Sequence, residues 1–184
     1  MGRKYKFHDN SKLYFVTFTV INWIDVFIRQ EYRDVVYESI RYCQKEKNLD
    51  VYGYCIMTSH IHMIIGTENG VLSDIVRDFK AFTSRHIRKA IETHYGESRK
   101  AWMLWMMKRA GINNARNKDW QFWQQHSHPI KLNNLEIALQ RLNYIHKNPV
   151  VSGMVDFPEE WKHSSAGIYS GIRKGEIDIV LIEH

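Results

Sequence analysis

Val51-Tyr52-Gly53-Tyr54-Cys55-Ile56-Met57-Thr58-Ser59-His60-Ile61-His62-Met63-Ile64-Ile65-Gly66-Thr67 decides the fold. It holds two β-rich runs, Val51–Met57 and His60–Thr67, parted only by Thr58-Ser59, with Gly66 and Gly70 marking the exit. That pattern predicts a pair of adjacent strands. Towards the N-terminus, Leu13–Val20 is β-branched and aromatic and lacks Gly and Pro, so it reads as another strand. Between them, residues 30–46 carry Val35, Val36, Ile40 and Cys43 near helical spacing. Beyond Gly70, Leu72, Ile75, Val76, Phe79, Phe82, Ile87, Ala90 and Ile91 fall in phase on a long amphipathic helix. Residues 98–119 read as a short helix and a loop inserted into the domain, and 120–131 as a further strand. Asn133 with Glu136 resembles a capping box opening a helix that Pro149 ends. A short helix over 164–169, a last strand over 177–182 and a C-terminal extension from about residue 150 complete the chain. The order β-α-β-β-α-β-α predicts an α+β fold, an antiparallel sheet with helices packed on one face.

The 184 residues, 44% hydrophobic and 25% charged, suit a single globular domain, and this composition excludes disorder, collagen and low complexity. Cys43 and Cys55 have no metal-binding spacing and form no disulfide framework, which points to a reducing cytoplasm. No run reaches the ~18 apolar residues of a membrane helix, so no membrane association is expected. With 26 Lys and Arg against 20 Asp and Glu, and positive clusters at Arg3–Lys6, Arg85–Lys89 and Arg99–Arg109, the chain favours a polyanionic partner.

On a strand, a two-residue offset points His60 and His62 to one face while Ile61 faces the other. That supplies two imidazole ligands for one metal, or two polar residues on the outside of a core strand. His126-Ser127-His128 has the same offset, but Pro129 places it at a strand edge, and it reads as surface. In the helix after Asn133, Leu135, Ala138, Leu139, Leu142 and Ile145 form the apolar face. Tyr144 lies off that stripe, with Asn148 one turn further on the same side. A nucleophile and a metal ligand can therefore share this face. A phenol is a poor nucleophile without a nearby base or a metal-polarised electrophile, which a His-bound divalent ion supplies. Trp102, Trp105, Trp120, Phe122 and Trp123, interleaved with Arg99, Lys100, Lys108, Arg109, Arg116 and Lys118, offer stacking faces beside phosphate-binding charges. Lys80, Thr83, Ser84 and Arg85 on the long helix add donors for phosphates, or are simply its wet face.

Together these residues resemble a known family. Residues 54–65, with His60-Ile61-His62 at their centre, are similar to the metal-binding strand of the HUH single-tyrosine transposases. Tyr14–Val20, Phe79–Arg85, Phe122–Gln125, Asn143–Val155 and Trp161–Tyr169 resemble the REP-associated tyrosine branch of the IS200-like transposases. The resemblance spans roughly residues 13–170 in order and spacing. It implies a ferredoxin-like sheet with His60 and His62 on a central strand, Tyr144 as the catalytic tyrosine, and Asn148 as the third ligand, beside the two histidines, for Mg²⁺ or Mn²⁺. It also implies single-stranded DNA with a hairpin or imperfect palindrome as substrate, cut through a 5′-phosphotyrosine and rejoined, by a monomer or a homodimer. Two alternatives stand beside it: a non-catalytic ferredoxin-like nucleic-acid-binding regulator, and a metal-dependent hydrolase that activates water.

Overall fold

The computed structural model of the chain describes residues 7, 9–114, 119–125 and 129–182. The basic stretch Arg3–Lys6, Arg116, Lys118, His126 and His128 lie outside the described residues. Four strands, β1 (Leu13–Thr19), β2 (Asp50–Ile56), β3 (His60–Gly66) and β4 (Ile130–Leu132), form one antiparallel sheet in the order β2-β3-β1-β4. This is the expected α+β architecture. Thr17 pairs with His62 and Thr19 with His60, which puts the two histidines on one of the two central strands.

Strand periodicity divides the side chains between two cores. Tyr14, Val16 and Phe18 of β1 and Ile61, Met63 and Ile65 of β3 face α1 (Gln30–Lys47) and α2 (Leu72–Thr93), which lie side by side on that face. The buried positions Val36, Ile40 and Cys43 of α1 and Ile75, Phe79, Ile87 and Ile91 of α2 keep the helical spacing of the sequence. Phe15, Cys55 and Ile64 point the other way, where α4 (Leu135–Val151) lays Ala138, Leu142 and Ile145 across them. The approach is close. A Cβ on Gly53 would sit 2.5 Å from the Leu142 Cδ1, so β2 needs its glycine there. The side chain of Asn134, rather than Asn133, caps α4 by accepting from the Ile137 amide. Pro149 does not end α4; the helix continues through it to Val151, because a proline in the last turn leaves only one internal bond unmade.

The short helix expected within residues 98–119 is α3 (Lys100–Ile112), which buries Met103 and Met107. Residues 120–131 form less strand than expected. Trp123 makes a single bridge to Val20, and regular pairing resumes only at β4. No strand forms over 177–182. Val180 gives one amide bond to the Val51 carbonyl, while the outer edge of β2 is taken by residues 163–165, with Ile56 donating to the His163 carbonyl and Ser165 to that of Tyr54. The Tyr169 hydroxyl donates to the Tyr52 carbonyl and accepts from the Ile182 amide, so a side chain stands where a ladder bond between β2 and residues 177–182 would form. A single helical turn, α5 (Ala166–Tyr169), follows. Among the described residues, no helix is long and apolar enough to cross a membrane.

Candidate active site

The face of the sheet that carries the histidines meets one side of α4. His60 and His62 lie with ring centroids 4.7 Å apart. His62 is 5% exposed, and its ring stands 5.4 Å from that of Tyr144. The Asn148 amide, one turn beyond Tyr144, donates to His62 Nε2 over 3.4 Å. The structure thus brings together all four residues singled out from the sequence. Tyr144 remains 45% exposed, within reach of a ligand that enters from solvent.

The environment selects one form of His62. Thr17 Oγ1 lies 2.8 Å from Nδ1. A proton on Nδ1, donated to that hydroxyl oxygen, leaves Nε2 as the acceptor that the Asn148 amide requires. Burial, with the neighbouring His60 adding to it, pushes the His62 pKa down to about 3. Burial also lowers His60, opposed by the Asn148 side chain and by the charge of Asp25. Both imidazoles are neutral near pH 7, the form that binds metals. Among the described residues no three His, Cys, Asp or Glu side chains cluster, so an amide oxygen has to complete any metal site here. Turning the Asn148 amide would present that oxygen, and two imidazoles with one carbonyl oxygen can hold a divalent transition ion, Mn²⁺ among them, with water or other oxygens filling its remaining positions.

Several neighbours of this centre had no signal in the sequence. Phe15 stacks near His62 with centroids 5.5 Å apart and meets Tyr144 edge-on. Trp23, 59% exposed, lies 5.4 Å from His60 in a turn where Asn22 and Trp23 hold φ of 53° and 55°. Such left-handed backbone costs a tryptophan on the order of 1–2 kcal/mol and is kept only by its surroundings. Here the buried Ile21 and Ile24 flank the turn, and Ile21 donates to the Phe122 carbonyl.

The expected nucleic-acid contacts separate into two groups. Trp102, Trp105, Lys108 and Arg109 form an exposed strip on α3, with the Arg109 guanidinium 5.3 Å above the Trp105 ring. Lys100 and Ser84 are half-buried and Arg85 is exposed. Four others are occupied inside the protein, contrary to expectation. Thr83 is fully buried, donating to the Phe79 carbonyl and accepting from the Trp123 indole at 2.9 Å. Trp123 itself stacks between Phe27 and Phe79 in the core. Lys80 donates to the Gln124 carbonyl, and burial pushes its pKa down to about 8. Arg99 holds the buried Glu97 carboxylate together with Arg29.

The model of the IS200-like transposases matches residues 11–108, more than half of the chain. His60 and His62 lie inside the match, Tyr144 and Asn148 beyond it. Among solved structures, a REP-associated tyrosine transposase bound to a REP hairpin superposes with a TM-score of 0.63 at 13% identity, covering 100% of this chain and 95% of its own. A transposase candidate from Deinococcus radiodurans gives a TM-score of 0.44 at 14% identity, covering 80% of this chain and 95% of its own. No match is found among curated proteins. On the family match, the chain is a member of the IS200-like transposase family.

Proposed function

We propose that the chain is a single-strand DNA transesterase of the REP-associated type, cutting and rejoining DNA beside hairpins. The observation that carries this reading is the meeting of Tyr144 and Asn148 on α4 with His60 and His62 on β3. His60, His62 and Asn148 would hold Mg²⁺ or Mn²⁺, which supplies Lewis acidity to the scissile phosphodiester. Tyr144 supplies the nucleophile. Its phenolic oxygen, having lost its proton to solvent, forms the bond to phosphorus. The bond to the 3′ oxygen breaks, and that oxygen takes a proton from solvent and leaves as a hydroxyl. A 5′-phosphotyrosine conserves the phosphodiester energy, so a second 3′-hydroxyl can reverse the step and join strands without ATP. Thr17 orients His62, and Phe15 packs against both the histidine and the tyrosine rings. Trp23 and the α3 strip offer faces on which unpaired bases stack, with Lys108 and Arg109 meeting the backbone. The REP hairpin held by the similar structure suggests the substrate class.

The test is to incubate end-labelled single-stranded hairpins with the wild type and Tyr144→Phe, in Mn²⁺ or EDTA, and look for a denaturation-resistant protein–DNA band. A metal-dependent adduct absent from Tyr144→Phe is expected. Salt-sensitive binding with no adduct would overturn this reading in favour of a non-catalytic binding module, and a 5′-phosphate product without adduct would favour a hydrolase.

A further inference from the structure

Arg141 lies on α4 one turn before Tyr144, hence on the same side of the helix. Its guanidinium carbon sits 5.3 Å above the ring of Phe15, the same ring that abuts His62 and Tyr144. The side chain is half-buried, its Nε is shut off from solvent, and among the described residues no hydrogen bond or ion pair reaches it. The other arginine with a buried, unbonded Nε, Arg33, uses its terminal nitrogens on the Phe27 carbonyl and Gln30. Arg141 has only the face of Phe15.

A permanent cation in a partly buried position is costly without a counter-charge, and nothing described in this protein provides one. The planar five-donor fork of arginine matches a phosphate in shape as well as in charge. Arg141 puts a fixed positive charge on the α4 side of the site. We infer that Arg141 binds a backbone phosphate of the DNA strand that Tyr144 cuts, holding that strand against the nucleophile. This rests on the transesterase reading above, and it adds a substrate-binding group to the metal ligands and the tyrosine.

The experiment uses the full chain and the hairpin strand that the wild type cuts. Binding is measured across a salt series in the Tyr144→Phe background, with and without Arg141→Met, which keeps an apolar stem over Phe15. Arg141→Gln, with a planar uncharged end, serves the same comparison should the Met variant not fold. Removing one phosphate contact on single-stranded DNA lowers the slope of log affinity against log salt by about 0.7. That change is expected, with adduct formation at least about tenfold slower in the Tyr144-bearing variant. Neutral methylphosphonates are also placed one at a time at the scissile and neighbouring phosphates. One position should weaken binding about tenfold with Arg141 present and hardly at all in its absence. An unchanged slope and an unchanged methylphosphonate profile would overturn the inference even if the variant melted earlier or reacted more slowly, for Arg141 would then only pack on Phe15. The two levels separate cleanly. A wild type that forms its adduct while the Arg141 variants bind and react like it removes this inference alone. A wild type that forms no adduct removes the transesterase reading and this inference with it.

Discussion

Replacing Thr17 by Val tests whether His62 is tuned as a ligand or merely buried. Valine keeps the β-branched shape that suits β1 and removes only the hydroxyl that accepts from Nδ1 at 2.8 Å. Because His62 is 5% exposed, water does not readily replace that acceptor. Leaving a buried donor unpaired costs about 1–3 kcal/mol. The ring can escape by moving its proton to Nε2, where it blocks the lone pair that faces Asn148. Either response penalises the ligating form by a similar amount, which corresponds to roughly a 10–100-fold loss of metal affinity, the range typical of partners behind a ligand. Titrating Mn²⁺ by electron paramagnetic resonance against the wild type, Thr17→Val and Thr17→Ser measures this directly. Thr17→Ser, which restores the oxygen, should recover most of the affinity. A folded Thr17→Val protein that binds Mn²⁺ within twofold of the wild type would refute the reasoning.

Three further outcomes follow from other parts of the fold. His146 and His163, bonded to Ser165 and Tyr37, have pKa values pushed down to about 4 by burial, with nearby cations adding to the effect at His163. The unfolded chain takes up their protons below about pH 6.5 while the folded one does not, so stability is lost as pH falls from 6.5 towards 4. At pH 5 the loss is on the order of 1–2 kcal/mol for each, and metal-free melting temperatures at pH 7.5 and 5 should differ by several degrees, a difference that His146→Gln reduces. Gly53→Val drives a side chain into Leu142, costing about 1–3 kcal/mol by chemical denaturation and shifting α4. Since displacement by about 1 Å can cost a hundredfold in rate, adduct formation should fall far more than stability does. Burial opposes ionisation of Glu97, yet Arg99 and Arg29 hold its carboxyl down to about 2, and Glu97→Ala should cost about 1–3 kcal/mol in urea denaturation by removing the carboxylate that the two guanidiniums share.

The strands and helices whose side chains repeat with an unbroken period were legible from sequence. β1, the β2–β3 pair, α1 and α2 occupy the expected ranges because the helices each bury one periodic face and the strands are β-rich runs buried on both faces. His60, His62, Tyr144 and Asn148 were legible for the same reason, since a strand offset of two and a helix offset of four each fix a shared side. Thr83 and Trp123 were misplaced because a tryptophan beside basic residues looks the same whether it stacks on a base or, as here, gives its indole proton to a buried hydroxyl. Nothing local marks Thr17, Trp23 or Arg141. Thr17 matters because it pairs across the sheet with His62, Trp23 because its turn closes against His60, and Arg141 because Phe15 reaches it from β1. Each depends on neighbours distant in the chain, which periodicity cannot supply.

The two halves of the site belong to parts of the fold that are secured very differently. The histidines sit on a central strand, clamped by pairing on both sides and backed by α1 and α2. The tyrosine and the amide ride on a single helix, seated on the opposite face by a small patch around Ala138, Leu142 and Ile145. Proteins open locally as well as globally, and an opening confined to α4 would leave the sheet and the helices behind it folded. In that opened form His60 and His62 would part from Tyr144 and Asn148, and the four residues would no longer share one site. Hydrogen exchange along α4, rather than the melting temperature, is therefore the stability that governs how often the site is assembled.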